Sequence, residues 1–435
     1  MSDNPPNKRL QGRISALVER LHALYPLMID LGTGRLLRLL GELGNPHLAL
    51  PPVIHVAGTN GKGSTCAFLR AMGEAAGMRV HVYTSPHLVR FNERIRIAGS
   101  LVSDAVLEAT FEEIERVNAG KEITVFEVLT AAALLLFARN PAELCVLEVG
   151  LGGRFDATNV IPHPAACAIA SISMDHKDFL GGTLAKIAGE KAGIVKPGAP
   201  AVTGWQVQEV MQVLREEAAS KGAHLLARDE AWSIEPYGHG LRYQDSQGTL
   251  ILPKPGLSGA FQHDNAGIAR AAIRAANLGL PDEALARGVA SAQWPARMQR
   301  LTGHLGAMLP PEWELWLDGG HNPGGGEALA AHLAGWKDRP AHVIVGMKRS
   351  KDAAEFLRPI LPHAASLWAV AEPEQHLALS VDDIVAASGG VAKPGPVIAE
   401  ALAQLPKDRP ARVLICGSLY LAGEALKLDS DTPPV

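Results

Sequence analysis

Residues 53–64 read Val-Ile-His-Val-Ala-Gly-Thr-Asn-Gly-Lys-Gly-Ser, and their chemistry is that of an anion holder. Gly58, Gly61 and Gly63 allow a sharp turn that brings backbone N–H groups close to a phosphate. Lys62 adds a full positive charge, and Ser64 adds a hydroxyl that could reach a Mg²⁺ ion. The spacing is not G-x-x-x-x-G-K-[ST], because Gly63 separates Lys62 from Ser64 and no glycine stands five places before Gly61. A glycine-rich turn with a solvated lysine is the plainer alternative, and the motifs further along weigh against it.

Three more groups of ligating type follow short apolar runs: Ser85 in Thr84-Ser85-Pro86-His87, Glu148 ahead of the glycine run at 150–153, and His176 in Met174-Asp175-His176-Lys177-Asp178. Singly, each has an ordinary reading. Ser-Pro is turn chemistry, and a lone histidine is more often a satisfied structural residue than a ligand. A carboxylate ending an apolar strand, however, is costly to bury unless it meets a cation or hydrogen-bond donors. Taken together, Ser64, Ser85, Glu148 and His176 at corresponding strand ends of one sheet suit Mg²⁺ shared with substrate phosphates better than a closed zinc cage. Lys191, near the end of a helical run, reads locally as an ordinary surface lysine. Asn265, on the first turn of an alanine-rich helix, is either a ligand contact or a cap. Asp318 and His321 again sit past a strand end, the side on which open α/β sheets bind ligands. Asp30 lies in a glycine loop at 29–34 that is either a ligand contact or a turn between helices.

The elements that must position these groups are legible from periodicity. Short β-branched or apolar runs at 53–57, 79–83, 145–149 and 165–173 predict buried strands, and helical spacing predicts helices at 15–25, 35–43, 66–76, 112–117, 125–139 and 184–191. Residues 91–97 alternate charged and aliphatic side chains like an exposed strand or hairpin arm, and 231–251 is β-like. A boundary falls near residue 300, giving domains 1–299 and 300–435. The second restarts an α/β alternation with strands at 315–318, 342–345 and 412–416 and a helix at 327–336.

Composition bounds the function. With 435 residues, two domains is the natural expectation, and 47% apolar against 20% charged residues describes a chain that buries real cores. A net charge of −4 argues against a nucleic-acid partner held on a basic surface and leaves room for small anions. Residues 1–13 lack a secretory apolar region, and the longest apolar stretch, 128–138, is too short to span a bilayer. Four dispersed cysteines in apolar contexts, with no metal spacing, fit a reduced cytoplasmic compartment.

Gly58-Thr-Asn-Gly-Lys-Gly-Ser64, Thr84-Ser-Pro-His87, Glu148-Val-Gly-Leu-Gly-Gly-Arg154 with Asp156-Ala-Thr-Asn159, Asp175-His176, Glu190-Lys-Ala-Gly193, Pro295-Ala-Arg297, Asp318-Gly-Gly-His-Asn-Pro323 and Cys416-Gly-Ser-Leu-Tyr420 together resemble folylpolyglutamate synthase/dihydrofolate synthase, the folate branch of the Mur ligase superfamily. The set in that order is far more specific than any one motif. The resemblance implies an α/β protein: a large N-terminal P-loop-type, mostly parallel sheet domain with flanking helices, and a smaller C-terminal Rossmann-like domain. It implies a carbon–nitrogen ligase that adds L-glutamate to dihydropteroate or to the glutamate tail of folates through an acyl phosphate. ATP would be held by Thr59, Asn60, Gly61, Lys62, Gly63 and Ser64, with Asn265, Arg297, Asp318 and His321 at the domain interface. Mg²⁺ would be met by Ser64, Ser85, Glu148 and His176, and by Lys191 if N-carboxylated; Lys62, His176 and Lys191 would be catalytic. Folate would be met by Asp30, Phe126, Glu127 and the loop Gly152, Gly153, Arg154, Phe155 and Asp156. A monovalent cation is an open further cofactor. The implied partners are small molecules only, with neither nucleic acid nor membrane, and the implied state is a monomer. The chain departs from the family in Asp30-Leu-Gly-Thr33, Pro295-Ala296-Arg297 and Asp318-Gly-Gly-His321, where the family usually has Leu, Gly and Ala at the fourth, second and third places. Two rivals share part of the pattern: a cell-wall Mur ligase acting on a nucleotide-linked acid, and a nucleotide-binding regulatory protein without turnover.

Overall fold

The computed structural model describes Arg20 and residues 30–431, so the helix expected at 15–25 lies outside the described residues apart from Arg20. The chain divides into two compact units. One takes the chain to Ile172 with His176–Gly256 and His263–Gln293; the other takes Ser173–Asp175, Leu257–Gln262 and the chain from Trp294.

The first unit is built on eight strands: β1 (Val53–Ala57), β2 (Val80–Tyr83), β3 (Ile95–Ile97), β4 (Ser100–Leu101), β5 (Leu144–Glu148), β6 (Ala166–Ile169), β7 (Ala201–Thr203) and β8 (Leu225–Ala227), in the order β4-β3-β2-β5-β1-β6-β7-β8. From β2 to β8 every pairing is parallel, and β3 and β4 close one edge antiparallel. Every residue of β1, β2, β5, β6 and β7 is buried, as expected for a parallel sheet covered on both faces. The helix Val125–Arg139 starts at a capping box in which Thr124 and Glu127 satisfy each other's backbone N–H. It is apolar nearly all round and lies in the core with Asp104–Asn118 and Gly34–Glu42. A separate three-stranded antiparallel sheet is formed by β9 (Trp232–Tyr237), β10 (Gly240–Asp245) and β11 (Gly248–Leu252), the β-like region of the sequence.

The second unit holds six strands, β12 (Gln299–Leu301), β13 (Glu314–Leu317), β14 (Ala341–Val345), β15 (Ser366–Ala369), β16 (Lys393–Pro394) and β17 (Arg412–Cys416), in the order β12-β13-β17-β14-β15-β16. All neighbours are parallel except β12 with β13. The helix expected at 327–336 begins earlier, at Pro323, because Asn322 caps it through the Gly325 N–H and proline fits the first turn.

The expectation of a strand from residue 91 is corrected. Residues 91–94 form a 3₁₀ turn, and only Ile95–Ile97 is strand. The Glu93 carboxylate accepts the N–H groups of Leu88, Val89 and Arg90, which curls the segment before pairing can start. All four cysteines are free and buried, and burial raises each thiol above its ordinary range. No described helix is long and apolar enough to cross a membrane.

Candidate active site

The central strand of the first sheet, β1, has β5 on one side and β6 on the other, and β2 lies beyond β5. These four run parallel, so their carboxyl ends open on one side. The cradle follows β1, Ser85 follows β2, Glu148 ends β5, and His176 lies seven residues beyond β6.

In the cradle, the Thr59 and Asn60 N–H groups donate to Ser171 O at 2.8 and 3.1 Å, which pins the loop to the strand beside it. Gly61 has φ +89°, and a Cβ there would stand 2.3 Å from Asn265 Oδ1. Asn265 therefore packs on the cradle from inside the helix Phe261–Ala275 and is not its cap. The Lys62 ammonium donates to Gly58 O at 3.1 Å and Thr59 O at 3.3 Å. Ser64 Oγ and Thr65 Oγ1 are buried without a hydrogen-bond partner within the chain, which leaves both hydroxyls able to take an ion, a water or a phosphate oxygen.

Glu148 is 4% exposed and accepts the Ser85 N–H at 3.1 Å. This contact joins two of the expected metal contacts directly. Among the described residues no three His, Cys, Asp or Glu side chains form a metal cluster. A donor set of hydroxyls and one carboxylate suits a hard cation that draws its remaining oxygens from a phosphate. His176 adopts a left-handed backbone at the start of the short helix Lys177–Leu180 and is exposed.

Lys191 overturns its local reading as a surface lysine. It is 5% exposed, and its Nζ donates to Gly58 O at 2.9 Å, at the root of the cradle. The helix Leu184–Ala192 that carries it is capped by Thr183.

The expected folate contacts fall into two groups. Phe126 lies on Gly150, where a Cβ would meet its Cζ at 2.3 Å, and Phe155 is 48% exposed. Gly153 sits against the Lys191 helix so closely that a Cβ would stand 2.6 Å from Glu190 O. Asp156 accepts the Gly150 and Leu151 N–H groups at 3.1 and 2.9 Å, and the Thr158 N–H and hydroxyl at 2.9 and 2.5 Å. Its four lone-pair positions are filled from its own loop, while burial pushes the carboxyl up. Arg154 turns to Glu217 at 2.9 Å and Gly189 O at 3.1 Å, which fixes the loop to the helices beside it. In the second group Glu127 Oε2 accepts from Arg35 Nε at 3.1 Å, and Arg35 also holds the Asp30 carboxylate at 2.5 Å and its carbonyl at 2.9 Å. Glu127 Oε1 is buried with no partner. Sequence alone does not single out Arg35; its signal is a cation on the first turn of the helix Gly34–Glu42, five places after Asp30.

In the second unit Asp318 ends past β13 and accepts the Met298 and Gly320 N–H groups at 2.9 and 2.7 Å. Burial raises its carboxyl, with Arg297 opposing. The Arg297 guanidinium donates to Ala296 O, and His321 Nδ1 bonds Gly319 O at 2.8 Å. Asp175, counted in this unit, meets Lys351 at 2.5 Å and the Asn322 amide at 2.9 Å.

The Mur ligase middle domain family matches residues 56–272, and the dihydrofolate synthetase C-terminal domain family matches residues 307–428. The chain is 34% identical over 419 residues to the dihydrofolate synthase/folylpolyglutamate synthase of Escherichia coli, across 95% of this chain and 95% of that one. Escherichia coli FolC in complex with DHPP and ADP superposes with a TM-score of 0.86 at 32% identity, covering 95% of this chain and 97% of that one. The Yersinia pestis bifunctional folylpolyglutamate synthase/dihydrofolate synthase complexed with AMPPNP and Mn ion gives 0.84 at 32% identity, covering 96% and 97%.

Proposed function

We propose, for a chain that belongs to the dihydrofolate synthase/folylpolyglutamate synthase family, how its own residues carry the reaction. The enzyme is an ATP-dependent ligase that joins L-glutamate to dihydropteroate or to the glutamate tail of folates. A carboxylate is a poor electrophile. Transfer of the γ-phosphoryl group to it gives an acyl phosphate; the glutamate amine then attacks the carbonyl carbon, phosphate leaves, and the amide forms. Such transfer asks for positioning and charge neutralisation more than for a covalent catalyst.

Thr59, Asn60, Gly61, Lys62, Gly63 and Ser64 hold the phosphates, with Lys62 swinging from its carbonyl contacts onto the β and γ oxygens. Ser64, Ser85, Glu148 and His176 would hold the divalent cation, proposed as Mg²⁺, which when bound would neutralise charge on the triphosphate. Lys191 carries the proposed N-carboxylate; its buried amine at the root of the cradle supports that reading. Asn265, Arg297, Asp318 and His321 are proposed to contact the nucleotide. Phe126, Phe155 and the loop at 152–156 take the pterin side, with Asp30 and Glu127; the partnerless Glu127 Oε1 is suited to N–H donors of that ring system. The enzyme is further proposed to act as a monomer in the cytoplasm, a compartment in which its four buried free thiols would stay reduced.

The observation that carries the reading is the placing of the cradle, Ser85, Glu148 and His176 beyond four adjacent parallel strand ends. Phosphate release is measured with ATP, glutamate and either dihydropteroate or a reduced folate, with and without a monovalent salt. Release is expected with at least one folate acceptor. Release only with a UDP-muramoyl acid, or ATP binding with no release at all, would reject the assignment.

A further inference from the structure

His55 lies in the middle of β1, 0% exposed, three residues before the cradle. Its Nε2 is 2.8 Å from Thr158 Oγ1, and its Nδ1 is buried without a hydrogen-bond partner. The Thr158 hydroxyl has one proton, and it donates that proton to Asp156 Oδ1 at 2.5 Å. Thr158 Oγ1 can then only accept from His55. Nε2 therefore carries a proton, and with no acceptor beside Nδ1 the ring is neutral, with a bare lone pair there. Burial, with the Lys196 ammonium nearby, holds it in that form by pushing its pKa down to about 3.

The chain of bonds continues. Asp156 Oδ2 takes the N–H groups of Gly150 and Leu151, the first residues of the glycine loop after β5. Thus one unbroken path, His55 Nε2–H to Thr158 Oγ–H to Asp156 to two loop amides, ties the strand that carries the cradle to the loop that faces the acceptor substrate. His55, Thr158 and Asp156 are all buried.

We infer that His55 and Thr158 are positioning residues that set the glycine loop at 150–156 for the folate substrate. The inference rests on the assignment of that loop to folate. A ring locked as a neutral donor holds Thr158 in one orientation, and this leaves Asp156 both oxygens to organise the loop. The pair would thereby govern acceptor binding while leaving the nucleotide cradle intact.

The test compares Thr158→Val, Thr158→Ser, His55→Leu and His55→Gln in the full-length enzyme, with KM measured separately for the folate acceptor and for ATP. Thr158→Val and His55→Leu are expected to raise the folate KM about tenfold, the scale of one lost buried hydrogen bond, with the ATP KM unchanged. Thr158→Ser and His55→Gln, which restore a hydroxyl and an N–H donor, are expected to recover most of it. Nitrogen-15 NMR of the histidine ring, which needs no turnover, is expected to show the Nε2–H tautomer and no titration through the neutral range. A ring protonated on Nδ1, or equal changes in both KM values, would overturn the inference. Phe155→Ala separates the two levels. If it leaves the folate KM untouched, the loop assignment fails; if it raises it while Thr158→Val does not, the relay fails.

Discussion

Two loops leave the carboxyl ends of neighbouring strands β1 and β5, and they treat their polar groups in opposite ways. In the loop after β5, Asp156 is saturated by four donors from its own segment. In the loop after β1, the Lys62 ammonium rests on two backbone carbonyls at 3.1 and 3.3 Å, and Ser64 Oγ has no partner. The first loop is completed by folding and the second is left for a ligand to complete. An acidic or basic residue at a strand end is thus not informative by type alone. What distinguishes a ligand from a staple is whether its own backbone already satisfies it. Asp318 in the second unit stands between the two: the Met298 and Gly320 amides take one site on each oxygen and leave one on each for a ligand.

Substitutions can break this contrast. The largest effect is expected from Lys62→Ala, which should lower kcat by about a thousandfold while the thermal midpoint stays near that of the parent. A large drop in the midpoint would place Lys62 among the structural groups. Asp156→Ala is expected to do the reverse in emphasis, costing about 3 kcal/mol in urea unfolding because it strands buried donors at Gly150, Leu151 and Thr158. A cost no greater than that of a surface substitution would remove Asp156 from its place as a staple.

The smallest effect concerns pH. The folded pKa of His55 is about 3 against an ordinary 6.5, so the unfolded chain binds a proton between those values and the folded chain does not. Stability therefore falls as pH drops below the ordinary value, with no contribution from this group above it. At about pH 5 the loss is about 2 kcal/mol. His55→Gln should flatten that part of the stability profile, measured as denaturant midpoints against pH, and an unchanged slope would count against a buried neutral ring.

Much of this was legible in the residues. The strands β1, β2, β5 and β6 are short apolar runs that end in chemistry, and because both faces are buried their pattern is unbroken. Other features depend on partners distant in sequence. Nothing local in Leu184–Ala192 tells that Lys191 points at Gly58, 133 positions away. Asn265, near a helix start, fits a ligand contact and a cap equally well by sequence, and only the opening of the helix four residues sooner, which presents it to Gly61, removes the cap. The alternation at 91–97 suggested a strand throughout, until the Glu93 carboxylate claimed three backbone donors. Residues 346–411 were the least readable, because β15 and β16 are only four and two residues long and their flanking helices are short. Periodicity has too few repeats there to register.

The four cysteines also make the protein its own reporter. Cys66, Cys145 and Cys167 belong to the first unit and Cys416 to the second. Since each thiol is shut away and held in its unreactive protonated form, an alkylating reagent can reach it only when the surrounding strands or helix open. The rates at which these sulfurs are labelled therefore clock the opening of the two units separately in one sample, with no engineered probe.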